Sequence, residues 1–368
     1  MKVTFPHMGG TYAATKAFLE DLGIEVIVPP LCNSKTLEIG VKNSPETICL
    51  PLKLNIGNFI QSIEKGADTI LIAGSCGPCR FGYYGVIEKE ILKDLGYDVN
   101  LIVIDPPLED MKSFMYKIKT ITGGNSPKAA LKAFFKGYNI SKQLDGMDKM
   151  MFRIRPREKV AGSVKDIHNY YLNNINKFHG SDQISGFIKD IKEQLEKVEI
   201  DEEVKPLRIG IIGEIYTVIE PFVNLYIEEK LGNLKVEVDR SMNVSQWLKT
   251  NVMGKLVGLN FERKVEKAAE PYLKEMIGGH AKECIGNAVL YAREGYDGLI
   301  QLLPFSCMPE IVASSILPNL SQKENIPIMT LVVDELTGES GYLTRLEAFV
   351  DMLSIKREGK CNEALHWN

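Results

Sequence analysis

Short runs that are apolar from end to end constrain this chain more than any other feature. "DTILIAG", "NLIVID", "LRIGIIG", "DGLIQLLPF" and "IPIMTLVVD" do not alternate between apolar and polar residues. Strands read this way when both faces of their sheet are covered. Amphipathic stretches such as "TYAATKAFLEDLG" and "YGVIEKEILKDLG" lie between them. Strand and helix in alternation predict parallel, doubly wound α/β structure. The 368 residues are enough for two ordinary domains, each with its own core.

The first series runs strand "KVTFP", helix "TYAATKAFLEDLG", strand "EVIVPP", a helix around "LKLNIGNFIQSIEKG", strand "DTILIAG", a helix around "YGVIEKEILKDLG" and strand "NLIVID". After about residue 110 the pattern turns helical and rich in Lys, Asn and Glu, as in "ISGFIKDIKEQLEKVEI". "DEEVKP" reads as a linker. A second series follows: "LRIGIIG", helix "EPFVNLYIEEKLG", strand "KVEVD", helix "CIGNAVLYAREG", strands "DGLIQLLPF" and "IPIMTLVVD", and a last helix near "LTRLEAFVDML". The expected organisation is an N-terminal Rossmann-like lobe (1–110), a helical segment (111–205) and a C-terminal Rossmann-like lobe with a terminal helix (206–368).

The two series echo each other. "ETICLPLKLNIGNFIQSIEKGADTILIAGSCGPC" and "KECIGNAVLYAREGYDGLIQLLPFSCMPE" each carry a cysteine at a helix start, a helix ending near Gly-x-Asp, an apolar strand, and a cysteine in the next turn. A duplicated α/β unit is the economical explanation. Ligands of open α/β sheets bind outside the carboxyl ends of the strands. Cys76, Cys79 and Cys307 fall at such ends. Cys49 and Cys284 fall at helix N-termini, where the backbone dipole favours thiolate. If the two halves face each other, four or five thiols converge on the cleft.

Seven cysteines in a chain of net charge −4 need an explanation. The start "MKVTFPHMGG" lacks the long apolar stretch of a signal peptide, and no run approaches a membrane span. A cytoplasmic location is expected, where an odd cysteine count argues against a disulfide framework. The acidic balance gives no reason to expect nucleic acid or a membrane as partner. Cys32 and Cys361 sit in ordinary contexts and read as simple thiols.

Three chemistries compete for the others. Cys76-Gly-Pro-Cys79 resembles a thioredoxin-like dithiol, but that motif works as an isolated pair. Structural zinc usually takes two close cysteine pairs, and only one is present. A 4Fe–4S cluster tolerates thiolates from distant segments in Gly- and Pro-rich turns and is the best chemical fit. "IGIIGEIY" lacks the third glycine of a dinucleotide fingerprint, and there is no Walker-type phosphate loop. His7 in "PHMGGTY" and His280 in "GGHAKEC" follow Gly-rich or strand-end signals and are candidates to line a site. Asp334, Glu335 and Glu339 could cap the last helix or face the cleft.

"PHMGGTYAATKAFLEDLG", "SPETICLPLKLNIG", "GSCGPCRFGYYG", "GHAKECIGNAVLYAREGYDG", "PFSCMPEIVASSILP" and "DELTGESGYLTRLEAFVD" resemble the stand-alone proteins labelled CoA-protein activase. These belong to the superfamily of 2-hydroxyacyl-CoA dehydratases, benzoyl-CoA reductases and double-cubane cluster proteins. The resemblance runs from Met1 to about Leu353 and is weakest in the helical middle. It implies two Rossmann-like lobes and an iron–sulfur cluster held by Cys49, by Cys76 or Cys79, and by Cys307. In the dehydratases three cysteines bind the cluster and one iron stays open. Here the second thiol of the Cys76/Cys79 pair could close that iron, and Cys284 would make a double-cubane cluster conceivable. The resemblance implies a component that receives low-potential electrons from an ATP-dependent activator of the actin/sugar-kinase fold. A related cluster-binding subunit and a CoA thioester are further partners it suggests. The expected activity is reductase or dehydratase chemistry. The alternatives are a non-enzymatic electron carrier or sensor, or a double-cubane cluster reductase of small molecules.

Overall fold

Among the described residues, eight strands form two four-stranded parallel sheets of the same order. Strands β1 (Lys2–Thr4), β2 (Glu25–Val26), β3 (Thr69–Ala73) and β4 (Asn100–Ile104) run in the order β2-β1-β3-β4. Strands β5 (Leu207–Gly213), β6 (Val236–Arg240), β7 (Gly298–Pro304) and β8 (Ile328–Val333) run in the order β6-β5-β7-β8. Every pairing is parallel: Val3 pairs with both Val26 and Thr69, and Ile209 with both Val238 and Gly298. In each sheet the chain starts on an inner strand, moves outward one way, then crosses to the other side. That reversal makes a topological switch point between β1 and β3, and again between β5 and β7. This is an α/β fold with two Rossmann-like lobes. The computed structural model describes residues 1–74, 79–104, 111–254 and 258–365, with the side chains of 111, 113–115 and 360–365 left aside.

The first compact unit comprises Met1–Met147, Ile167–Gln194 and Asn243–Glu262. Its sheet carries α1 (Thr11–Asp21), α2 (Ser34–Asn43), α3 (Leu50–Ile63) and α4 (Tyr84–Asp94). Leu52, Ile56 and Phe59 of α3 pack with Ile70 and Ile72 of β3 and with Tyr84 and Leu92 of α4. Burial of each large apolar side chain here contributes roughly 1.5–3 kcal/mol. Helices α2 and α3 touch backbone to backbone: a Cβ on Gly40 would collide with the Lys53 carbonyl, and one on Gly57 with the Thr36 carbonyl. Two glycines facing each other's helix therefore fix where α3, and its first residue, can lie.

Four helices follow in the chain: α5 (Met111–Ile121), α6 (Pro127–Ile154), α7 (Ser163–Asn174) and α8 (Gly180–Glu196). They contribute residues to both units. In the first unit the buried Lys16 of α1 donates to the carbonyls of Asn176 (3.1 Å) and Phe178 (2.6 Å). Glu20 and Asp21 accept from the backbone N–H groups of Gly180 (2.7 Å) and Ser181 (2.9 Å). Carboxylates at the start of α8 satisfy donors that no helix can satisfy internally.

The second unit comprises Asp148–Asp166, Leu195–Met242 and the chain from Arg263 onward. Buried Arg240 at the end of β6 donates to Glu228 (2.6 Å) and Asp148 (2.9 Å) and lies over the Phe152 ring. Its helices are α9 (Ile215–Ile219) and α10 (Ile227–Asn233), then α12 (Arg263–Ala269), α13 (Ala281–Arg293), α14 (Met308–Lys323) and α15 (Glu339–Leu365); α11 (Val244–Leu248) belongs to the first unit. Helix α13 packs its Ile285, Ala288 and Val289 with Ile212 and Leu299 of the sheet and Ala313 and Leu317 of α14. "EPFVNLYIEEKLG" is not one helix. Leu225 and Tyr226 adopt left-handed backbone (φ 54° and 56°), and only Ile227–Asn233 is helical. Pro221 and the Asn224 side chain, which accepts from the Ile227 N–H (3.3 Å), favour the turn over a continuous helix. No helix among the described residues is long and apolar enough to cross a membrane.

Candidate functional site

In both sheets the strand beyond the switch point leads to a cysteine that caps the next helical segment. In the first unit the chain leaves β3 and reaches Cys79, the N-cap of a short 3-10 turn, Arg80–Tyr83, that runs into α4. In the second it leaves β7, the equivalent strand, and reaches Cys307, the N-cap of α14. Ser306 just before it holds a left-handed conformation (φ 63°), uncommon for a residue with a Cβ. The turn is fixed by backbone hydrogen bonds from Phe305 to Val333 (2.8 Å) and from Cys307 to Pro304 (3.1 Å). Cys76 lies outside the described residues.

Cys49 is the N-cap of α3, with Pro51 in the first turn, where a missing N–H costs nothing. Its sulfur shares a 2.6 Å hydrogen bond with the hydroxyl of Tyr84, the first residue of α4. Arg80 donates to the carbonyl of Thr47 (3.0 Å). These two bonds bind the Cys49 segment to the one carrying Cys79. One turn along α4, Glu88 is fully buried and accepts from the Asn55 amide of α3 (2.9 Å). Burial pushes its carboxyl up to about 8, the Asn55 hydrogen bond only partly opposing this. It is neutral at pH 7, an acid held between the two helices that carry Cys49 and follow Cys79.

In the second unit His280 is the N-cap of α13. The left-handed Gly279 before it has no room for a Cβ beside Pro309, two residues past Cys307. The His280 turn and the Cys307 turn therefore abut. His280 keeps some surface exposed, yet desolvation lowers its imidazole to about 4, so it is neutral at pH 7. Cys284, one turn into α13, is buried in the apolar core. Desolvation, then the neighbouring Glu310 carboxyl, raise its thiol well above the ordinary value. Glu310, in the first turn of α14, accepts from Gln301 of β7 (2.9 Å), and burial pushes its carboxyl up to about 7. Glu214, which caps α9 at the end of β5, is also raised by burial. Asp334 turns back to accept from Thr337 (2.8 Å) and Leu336 N–H (2.9 Å), while Glu339 pairs with Lys230 (2.7 Å). Those two acidic groups stabilise local turns and pairs.

The first unit also joins two residues that the sequence does not connect. Cys32, in the loop after β2, lies 3.9 Å from Nδ1 of His7, which follows β1, and accepts a 3.2 Å hydrogen bond from Asn58 of α3. His7 stacks on Tyr12, with ring centroids 5.0 Å apart. His7 and Cys32 bring imidazole and thiol close enough to share a metal ion. In the sequence Cys32 stands in the context of an ordinary thiol, and no local pattern marks Asn58, Tyr84, Glu88 or Glu310. The one available signal was position, since His7 and Cys32 both follow strands at the carboxyl edge of a parallel sheet.

Residues 7–73 match the CoA enzyme activase uncharacterised domain (DUF2229). The match takes in His7, Cys32, Cys49 and Asn58 and stops at the end of β3. The match covers β2 and β3 of the first sheet and nothing of the second. No curated protein matches the sequence.

Proposed function

We propose that the chain is an iron–sulfur protein of the 2-hydroxyacyl-CoA dehydratase type, reduced at low potential by an ATP-dependent activator. One observation carries this reading most: β3 and β7, equivalent strands of the two sheets, each lead to a cysteine that caps the next helical segment. The match of residues 7–73 to a CoA enzyme activase domain supports it.

The donor set suits iron and sulfide. Cys49, Cys79 and Cys307 stand at the starts of helical segments, where the backbone partial charge favours thiolate. The Tyr84 hydroxyl on the Cys49 sulfur is the kind of outer contact that orients and tunes a ligating thiolate. With Cys76, these are the four ligands of our reading. Cys284 is left out, because its side chain packs in the core between α13, α14 and the sheet rather than at a cysteine turn. A bound cluster would supply low-potential one-electron transfer. The chain's own residues position its thiolates, and the neutral Glu88 and His280 stand near the two cysteine turns without adding charge.

Exposed apolar side chains flank both turns: Tyr83 and Val86 by Cys79, and Phe305, Met308 and Ile311 by Cys307. Surfaces of this kind favour contact with another protein, and the activator, of the actin/sugar-kinase fold, is the partner we propose. The chain has no Walker-type phosphate loop of its own. Protein purified without oxygen should be brown, with about four iron and four sulfide per chain, as in one cubane. It should not hydrolyse ATP alone. EPR of the reduced protein, with and without a small iron ligand, separates an open iron suited to dehydratase chemistry from a fully ligated carrier. Stoichiometric zinc without iron would end this reading.

A further inference from the structure

We infer that His7, Cys32 and Asn58 form a second, buried metal site in the first unit, suited to a divalent cation of the zinc class. The site is independent of the proposed cluster, since none of its residues belongs to that ligand set.

The three side chains come from three places that the parallel sheet brings together. His7 follows β1, Cys32 follows β2, and Asn58 lies in α3. All three are buried, at 3%, 5% and 0% exposure. A thiol and an imidazole are the donors that borderline cations prefer. Their separation is informative. At 3.9 Å, Sγ and Nδ1 are too far apart for a good hydrogen bond. An ion at ordinary zinc distances, about 2.3 Å from sulfur and about 2.0–2.1 Å from nitrogen, would span that gap at an angle of roughly 125°. That is open for a tetrahedral site and closes with a shift of a few tenths of an ångström.

Asn58 supplies the independent observation. Its Nδ2 contacts the Cys32 sulfur at 3.2 Å, while its Oδ1 is fully buried with no hydrogen-bond partner among the described residues. A buried amide oxygen left unsatisfied costs about 1–3 kcal/mol. A half-turn of the amide places Oδ1 where Nδ2 stands, beside the sulfur, and there it can serve as a third donor. As the sulfur–metal bond forms, the Cys32 thiol proton leaves to solvent, so uptake releases one proton. With every donor buried, the ion's role is structural: it ties the turn after β1 and the loop after β2 to α3.

Cobalt(II) is the probe, added without oxygen to the full chain whose iron content has been measured. One equivalent should bind with a thiolate-to-cobalt charge-transfer band. The band should vanish in Cys32→Ala and in His7→Ala and persist in Cys49→Ser. Iron content should be unchanged in Cys32→Ala and His7→Ala, so failure of the cluster reading and failure of this site are read separately. Asn58→Asp keeps both strong donors and adds a negative oxygen. It should bind cobalt at least about tenfold more tightly even if the alanine variants fail to fold. Absence of the band in the wild-type chain, its persistence in Cys32→Ala, or no gain in Asn58→Asp would overturn the assignment.

Discussion

The hydroxyl of Tyr84 lies 2.6 Å from the sulfur of Cys49, joining the first residue of α4 to the cap of α3. Both groups are buried, so the bond is shielded from water. Tyr84→Phe keeps the ring and its packing against Phe81 while removing the oxygen. The loss should cost about 0.5–1.5 kcal/mol, read as a shift in the urea midpoint at constant slope. If Cys49 ligates a cluster, a hydrogen bond to its sulfur favours the electron-rich reduced state. Tyr84→Phe should then make the reduction potential more negative, measured by EPR-monitored redox titration. An unchanged potential would remove Cys49 from the ligand set.

Glu88 gives the chain a pH dependence of known sign. The folded protein holds the Glu88 proton up to about pH 8, whereas a carboxyl in the unfolded chain releases it near 4.5. Between those values the native state binds more protons, so this group's contribution to stability falls as pH rises from about 4.5 to 8. Glu88→Gln keeps an acceptor for Asn55 and cannot ionise. It should match the wild type near pH 4.5 and exceed it at pH 8.5 by up to about 5 kcal/mol, the worth of a shift from 4.5 to about 8. Urea unfolding at the two pH values decides the matter, and equal stabilities at pH 8.5 would count against a neutral Glu88.

Much of the architecture is legible in the sequence because strands buried on both faces must be apolar throughout. "DTILIAG", "LRIGIIG", "DGLIQLLPF" and "IPIMTLVVD" become β3, β5, β7 and β8. Local rules serve less well where backbone geometry decides, as at Leu225 and Tyr226, where the chain turns left-handed inside an apparently helical run. They also say nothing of side chains that meet across the fold. Cys49 and Tyr84 are 35 residues apart, and Cys32 and Asn58 are 26 apart. Cysteine positions at strand and helix ends could be read from the pattern. The partners that set each thiol's character could not.

The contact of α2 with α3 rests on two glycines, and it positions the Cys49 cap. Gly40→Ala would place a methyl group against the Lys53 carbonyl, and Gly57→Ala one against Thr36. Neither obstacle is a flexible side-chain tip, so the helices must move apart. Each substitution should cost at least about 1–3 kcal/mol, outweighing the roughly 1 kcal/mol that alanine gains over glycine in a helix. Thermal unfolding checks this. A neutral or stabilising Gly40→Ala would show that the helices do not touch as described.

Cys307 and Cys284 should respond to the same substitution in opposite ways. Cys307 caps α14 in a turn held by the left-handed Ser306, and its thiol is only partly buried. Serine there is compatible with an N-cap and should leave folding stability within about 1 kcal/mol. It replaces a soft thiolate with a poor iron ligand, however, and iron content should fall sharply. Cys284 lies in the α13 core beside Ile285 and Ala288, with its thiol held protonated by burial and by Glu310. Serine there keeps a hydrogen-bonding group beside Glu310 but gives up the sulfur's contacts in the α13 core, and should cost roughly 0.5–1.5 kcal/mol, while iron per folded chain stays at the wild-type value. Iron analysis and circular dichroism on the same anaerobic samples give both readings. A Cys307→Ser protein with full iron and an unchanged EPR spectrum would remove the second sheet's cysteine from the ligand set. Loss of iron from folded Cys284→Ser would instead promote Cys284 to a ligand.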